Sequence, residues 1–564
     1  MIGARWRVVG ANDLRSVVCA AVTSLTTEAP RPAGGPGSPG IGTSSADPTT
    51  APKSPIGRRD VPLWLAVLAA SVIVAAIVLR FWTRSNLWLD EAQTVNISRL
   101  AVGQIPHALR QDGAPPLFYV LLHYWMAAFG TGDLAVRSLS GLFSVATLPL
   151  VWLGGRRLGG ARVGWAAVMI VATSPFAVYY ATEARMYALV TFLTAVGLLA
   201  LLSVLAKPRP VAVIGLGVVT GLLLYSHYWS FYLVAVTGLW LCWRAWHAKG
   251  DARRATVVAI GSIVVGSLTF LPWVPTFLFQ ARHTGTPWAT PANFSAMVHA
   301  VAKFAGGGTT QGRALALAFF TLALIGVFGA AIDDRRIELD LKTRPAARPL
   351  AIIGFGTLFV AIAAGYVSHS AFSSRYTSVV FVPIVLLVAW GTRSLRSDTL
   401  RRSVLAAMVL FGLAGAIPNI TTNRTQSGQV AAAIRAHVQA GDVVAYCPDQ
   451  LGPSTSRLLP QSVDQITFPR RTPPQIVDWI DYAKVNEAAS VASFVHLLER
   501  QAAGAHTIWM VWAPGYATYG SDCEQITADL QADRAFRAVQ VVNAHPARYY
   551  EPMYLWRFTP LVRR

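Results

Sequence analysis

Apolar stretches close to the length of a bilayer crossing recur along this chain: Val61–Leu79, Leu134–Leu153, Val163–Thr182, Met186–Ala206, Val211–Ser226, Phe231–Trp243, Ala255–Phe279, Ala314–Ile332, Leu350–Val367, Thr377–Trp390 and Ser403–Ile417. A helix needs about 20 apolar residues to traverse the hydrocarbon layer, and tilt or local thinning accommodates runs that miss this length. No water satisfies backbone amides there, so each run must form a helix. With 54% hydrophobic and only 13% charged residues, the chain is excluded from the ordinary soluble domains. Its formal charge of +21 would suggest nucleic acid in a soluble protein. In a membrane chain the placement of the charge matters more than its total, and no nucleic-acid partner is expected.

Basic residues alternate between connections. Arg156, Arg157 and Arg162 share one, Lys207 and Arg209 another, and Arg244, Lys249, Arg253 and Arg254 a third. Arg335, Arg336, Lys342, Arg344 and Arg348 follow, then Arg393, Arg396, Arg401 and Arg402. The intervening connections are poor in basic residues, which places Glu183, His227, the long Gln280 to Gly312 loop and Arg375 outside the cytoplasm. Pro116 to Phe129 is apolar but short, and counting it as a crossing would invert the rest. It reads as a re-entrant or interfacial helix. The expected fold is therefore a polytopic α-helical membrane protein with about eleven crossings, multi-pass in the plasma membrane, carrying an external α/β domain at its C-terminus.

Three regions follow from this reading. Residues 1–60, rich in Pro, Gly, Ser and Thr, cannot bury a core and read as a disordered tail. Residues 61–417 form the membrane module, with an external loop at 83–114. Residues 418–564 change character: Asp442 to Tyr446 and Thr507 to Trp512 read as buried strands, Gly428 to Gln439 and Ala488 to Gln501 as helices. Cys447 and Cys523 of this part could pair in an oxidising compartment or stay as two free thiols.

The chemistry is concentrated in the 83–114 loop. Asp90 and Glu91 follow the first apolar run, and Asp112-Gly113-Ala114-Pro115-Pro116 comes soon after. Neighbouring carboxylates repel, and they are useful where a cation must be held or a proton moved. A solvated loop is the plain alternative. The pair could also bind a hard divalent cation such as Mg or Mn through oxygen, although no Asp-x-Asp pair and no His/Cys cluster accompanies it. No cofactor is otherwise indicated.

Leu89-Asp90-Glu91-Ala92, Gly113-Ala114-Pro115-Pro116-Leu117, Arg137 opening a span, Gly155-Arg156-Arg157-Leu158-Gly159, Ser174-Pro175, Glu183-Ala184-Arg185-Met186-Tyr187-Ala188-Leu189 and Tyr225-Ser226-His227-Tyr228 occur in this order. The set resembles the polyprenyl-phosphate-sugar-dependent glycosyltransferases of the GT-C fold, a group that includes protein O-mannosyltransferases and the aminoarabinose transferase of lipid A. The resemblance covers about Val61 to Arg375. It implies transfer of a mannose- or arabinose-like sugar from a polyprenyl-phosphate donor to a cell-envelope glycan, lipid or protein. It also implies that the acidic residue of the first external loop is catalytic, which carries over to Asp90, and Glu91 as its neighbour is the second candidate catalytic residue. Where this chain has Ala114, the resembling families usually carry His or another polar residue.

Such a reaction needs a carboxylate to take the acceptor's proton and cations to hold the departing phosphate. Asp112, Glu183, Arg185, Tyr187, His227 and Arg375 are the candidate substrate-binding residues. Each has a plainer reading. Glu183 and Arg185 suit a charged helix junction, Arg375 a membrane anchor, and His227 an interfacial aromatic cluster with Tyr225 and Tyr228. His123 reads as packed. A lipid or glycan transporter and a non-catalytic envelope-assembly subunit are the rival functions; against the transporter, the candidates gather on one membrane face instead of at mid-depth.

Overall fold

The computed structural model describes residues 62–285, 293–333, 336–342, 345, 347–368, 372–502 and 505–561. The expected tail, Cys19, Arg335 and Arg344 lie outside them. Among the described residues seven helices are long and apolar enough to cross a membrane, and an eighth joins them if the bent pair Ala161–Thr173 and Pro175–Ala181 is one span. Leu63–Leu79, Leu117–Phe129 and Pro210–Ser226 are shorter apolar helices. This is the architecture of a polytopic membrane protein.

The bend in the paired helix, 57°, has a local cause. Pro175 has no amide hydrogen, so the turn before it cannot close normally. Ser174 starts the second piece, its Oγ accepting from Ala177 N at 3.3 Å. The carbonyls of Val171 and Ala172 are taken instead by the buried Arg80 guanidinium, both at 2.8 Å. That cation is further satisfied by Ala76 O and Ser144 Oγ.

Leu117–Phe129 has 13 residues, and at about 1.5 Å per residue it is too short to cross alone. The Gln280 to Gly312 stretch, expected as a loop, instead contains the end of a helix at Val274–His283 and a second helix at Phe294–Ala305. The second is amphipathic, its apolar positions separated by polar ones, so it gives no continuous apolar run.

After the last apolar helix, Asp398–Thr421, the chain forms a five-stranded sheet. Its spatial order is Asp464–Thr467, Val443–Cys447, Ile508–Trp512, Tyr554–Pro560, Phe536–Val542. The first three strands are parallel, and the last two pairings are antiparallel. Val443 pairs with Ile508, and Ile508 in turn with Phe558. The central strands are buried on both faces, which explains their continuous apolar runs. Val443, Ala445, Ile508 and Met510 pack with Phe494, Leu498 and Ile526. The alternate residues Val444, Tyr446, Trp509 and Val511 pack with Val430 and Ile434 on the other face. Cys447 and Cys523 form a disulfide with Cα atoms 5.3 Å apart.

Trp88 and Leu89, from the first loop, belong to the first of these two sheet cores. The sheet layer is therefore packed directly on the segment that carries Asp90 and Glu91.

Candidate active site

Asp90 and Glu91 lie in the first turn of the helix Leu89–Ser98. Successive helix positions are about 100° apart, so the two carboxylates face different surroundings. Glu91 is fully buried. Arg137 grips it with Nε at 2.7 Å and with its second amino group at 2.6 Å, and the Ala184 amide donates at 2.9 Å. Arg424 adds a second cation at 3.7 Å. Burial by itself would raise the Glu91 carboxyl, but the charge and hydrogen bonds of Arg137, with Arg424 and the Ala184 amide, hold it below the ordinary range. Arg137 also donates to the carbonyls of Ser85 and Asn86. Glu91 thus ties its helix to the long helix Asp133–Gly159.

Asp90 faces a cavity of about 280 Å³. Its Oδ2 accepts from the Arg375 guanidinium at 2.5 Å. Arg375 sits in the short 3-10 segment Ser374–Val380, so the pair joins positions 285 residues apart. Arg185, Asp112, Tyr187 and His227 line the same cavity. Glu91 and Glu183 are absent from its wall.

Asp112 is held on both oxygens. Gln93 Nε2 donates to Oδ1 at 2.5 Å, and the Tyr119 hydroxyl donates to Oδ2. Arg185 reaches the Tyr119 hydroxyl at 3.2 Å and Thr94 Oγ1 at 2.8 Å, while Thr94 donates to the Asp90 carbonyl at 2.6 Å. This network fixes Arg185 beside the cavity. Gly113 ends the preceding helix with φ +78°, and a Cβ there would lie 2.7 Å from Thr284 Oγ1. Glycine is needed both for the left-handed turn and for the close approach. Gln280 closes the same turn by donating to Leu109 O at 2.6 Å and Ala114 O at 3.3 Å.

His227 Nδ1 accepts from the Trp229 amide at 3.1 Å, so a neutral ring carries its proton on Nε2. Burial first, and then the cations Arg185 and Arg375, push it down to about 3. Neutral at ordinary pH, the ring packs between Tyr187 and Tyr376. His123 accepts from or donates to no cavity group; its Nδ1 meets Ser98 O at 2.9 Å.

Glu183 lines a second cavity, of about 370 Å³, which shares Arg375 with the first. One carboxylate oxygen accepts from Trp88 Nε1 at 3.1 Å, and the other is buried with no hydrogen-bond partner among the described residues. Burial pushes this carboxyl up to about 7; Arg424 opposes the shift, and Glu91 and Asp90 add to it.

The sheet layer completes the site. Glu551 Oε1 accepts from the Leu89 amide at 3.3 Å, where a helix leaves its first amides unpaired. Asn96 donates to Gln475 O at 2.7 Å, and Gln93 Oε1 accepts from the Val477 amide at 3.0 Å. Trp479 lines the first cavity and Tyr550 the second. The sequence gives no signal for these two as site residues, nor for Gln93, Thr94, Tyr119, Trp88, Arg424 or Glu551. Among the described residues, no group of three or more His, Cys, Asp or Glu is placed to hold a metal ion. Asp90 and Glu91 do not converge on one point, each taking its own guanidinium.

Residues 113–275 match the family model of dolichyl-phosphate-mannose-protein mannosyltransferases. The fold matches the crystal structure of ArnT from Cupriavidus metallidurans bound to undecaprenyl phosphate, with a TM-score of 0.53 at 15% identity over 88% of this chain and 98% of that one. The apo form of the same protein gives a TM-score of 0.55 at 14% identity, covering 87% and 98%. No curated protein sequence matches the chain. The chain thus has the fold of the ArnT structures along most of its length, and residues 113–275 carry a match to the dolichyl-phosphate-mannose-protein mannosyltransferase family model.

Proposed function

We propose that the protein transfers a sugar, mannose- or arabinose-like, from a polyprenyl-phosphate donor to a hydroxyl of a cell-envelope acceptor at the outer face of the plasma membrane. The observation that carries this reading is the Asp90–Arg375 pair at 2.5 Å in a cavity that Arg185 also lines. Two guanidiniums can hold a phosphate through charge-assisted hydrogen bonds, and the carboxylate between them and the acceptor can take a proton. The ArnT structure bound to undecaprenyl phosphate supports a donor of this kind.

In this mechanism the acceptor oxygen forms a bond to the anomeric carbon as the bond from that carbon to the phosphate oxygen breaks. The electron pair leaves with the phosphate, held by Arg375 and Arg185, and the hydroxyl proton passes to Asp90. A single displacement of this kind inverts the anomeric centre. Glu91 acts by holding the helix Leu89–Ser98 against Arg137, so that Asp90 is presented to the cavity. Asp112, itself held by Gln93, acts through Tyr119 to position Arg185. Tyr187 and His227 form the aromatic wall against the donor head group. No step is routed through a divalent cation.

The external placement of the sheet layer rests on the charge asymmetry of the connections and is supported by the Cys447–Cys523 disulfide, which suits an oxidising compartment. The test of the function is a transfer assay with purified protein, cell-envelope membranes and polyprenyl-phosphate donors radiolabelled in mannose or arabinose. Label should leave the donor lipid for the envelope fraction. If no such donor is turned over, the reading is wrong.

A further inference from the structure

Of the residues lining the second cavity, Arg375 alone also lines the cavity assigned to the donor. The second cavity opens on the other side of Arg375, and its walls come from the bent helix pair, from Gly306 to Gly308, from the last apolar helix and from the sheet layer. Tyr550 stands in it with 75% of its surface exposed, and its ring meets Trp88 edge to face at 5.3 Å. Trp88 is nearly buried and donates to Glu183. The other oxygen of Glu183, on a side chain only 1% exposed, has no hydrogen-bond partner among the described residues. A buried oxygen left without a donor costs free energy, and a donor supplied by a ligand relieves that cost.

We infer that this cavity is a saccharide site and that the hydroxyl glycosylated by the enzyme belongs to a sugar of the acceptor. The inference rests on the glycosyl-transfer reading above and adds the acceptor's chemical class. A sugar has an apolar face of C–H bonds that lies against an exposed aromatic ring, and around it hydroxyls that both donate and accept. Tyr550 and Trp88 provide the aromatic wall. Glu183 provides an acceptor, and Lys303, Ser373 and Ser374 provide donors on the same wall. The Glu183 carboxyl, raised to about 7 by burial, changes charge readily near neutrality and suits a neutral hydroxyl better than an anion. A peptide acceptor, by contrast, is commonly bound by adding a strand to a sheet edge. None of the residues lining this cavity lies in a strand.

The test uses the full-length protein with a polyprenyl-phosphate donor carrying radiolabel in its sugar and an envelope fraction as acceptor. The labelled product is divided into aliquots for protease digestion, alkaline β-elimination and linkage analysis by methylation. The expected result is label on a sugar hydroxyl, resistant to protease and to β-elimination. Label released from Ser or Thr, or label carried by a lipid with no acceptor sugar, overturns the inference while leaving donor turnover intact. Failure of the donor itself to react would show instead as no loss of label from the donor lipid in any sample. Tyr550→Ala should raise the half-saturating amount of acceptor by about tenfold, well beyond any change in that of the donor. Tyr550→Phe, which keeps the ring, should restore most of the loss. Equal shifts for donor and acceptor, or a Phe variant no better than Ala, would make Tyr550 a structural residue and overturn its place in the site. Glu183→Gln keeps shape and one acceptor oxygen, and it should flatten the dependence of acceptor saturation on pH around neutrality; an unchanged profile contradicts the role given to Glu183.

Discussion

Arg375 donates to Asp90 Oδ2 at 2.5 Å, and Arg375 lines both the Asp90 cavity and the Tyr550 cavity. The cation that would hold a departing phosphate is thus already in contact with the carboxylate that would take the proton. A donor phosphate taken by Arg375 would share or exchange that contact.

Replacing Arg375 by Ala removes this cation and leaves Asp90 without its partner. Donor use should weaken by about 2 kcal/mol or more, in line with the cost of an unpaired buried group. Arg375→Lys should recover part of it, since an ammonium keeps the charge but loses the planar fork. Initial rates against donor concentration measure both, and unchanged donor kinetics in a folded Arg375→Ala protein would reduce Arg375 to an anchor.

Glu91→Gln should act on folding. Arg137 would lose a buried carboxylate that meets it at 2.6 Å, and Arg424 would lose its charge partner. Breaking one side of a buried ion pair costs about 3–5 kcal/mol. Thermal unfolding in detergent should show a marked loss of stability, and a Glu91→Gln protein as stable as wild type would contradict the anchoring role.

Glu551 predicts a pH effect on stability. Burial raises its carboxyl from 4.5 to about 8, so in the unfolded chain it ionises at lower pH than in the folded protein. Its contribution is fully present below about 4.5 and is lost as pH rises towards about 8, after which it changes no further. Glu551→Gln cannot ionise and keeps an acceptor for the Leu89 amide. The stability of this variant relative to wild type should therefore increase between pH 4.5 and pH 8. Chemical denaturation at the two pH values reads the difference, and a constant difference would refute the assignment.

The placement of residues 418–564 outside the cytoplasm predicts an active alkaline phosphatase fused after Arg564. A thiol reagent that cannot cross membranes should label neither Cys447 nor Cys523 in intact cells unless a reductant is added first. An inactive phosphatase with a fluorescent cytoplasmic reporter at the same point would invert the topology and remove the site from the outer face.

The membrane module was readable because its physics is local: a run such as Met186 to Ala206 is apolar enough to declare a helix on its own, and Tyr187–Ala206 is the helix that forms. Asp90 and Arg375 were readable as site candidates from their charge beside apolar runs. Their direct contact was not, since it spans 285 positions. Glu551 and Leu89 meet across 462 positions, and neither residue has a local pattern that signals the meeting. In the sheet layer, Val443–Cys447 and Ile508–Trp512 stood out because both faces are buried. Phe536–Val542 is an edge strand in which Arg537 and Gln540 interrupt the apolar residues, so it has no continuous apolar run to mark it. The break at Ser174-Pro175 shows how a legible motif can carry unseen consequences: the proline was evident, but its need for Arg80 appears only when the helices are packed.

Asp90→Asn tests the central claim most directly. The substitution keeps size and hydrogen bonding to Arg375 while removing the charge, so the protein should fold, bind the donor lipid and lose turnover by about a hundredfold or more, the scale expected for a positioned base. Sugar transfer from radiolabelled polyprenyl-phosphate donor, measured beside donor binding and thermal unfolding on the same sample, gives the answer. Near wild-type transfer by a folded Asp90→Asn protein would contradict the account and leave Asp90 as a structural partner of Arg375.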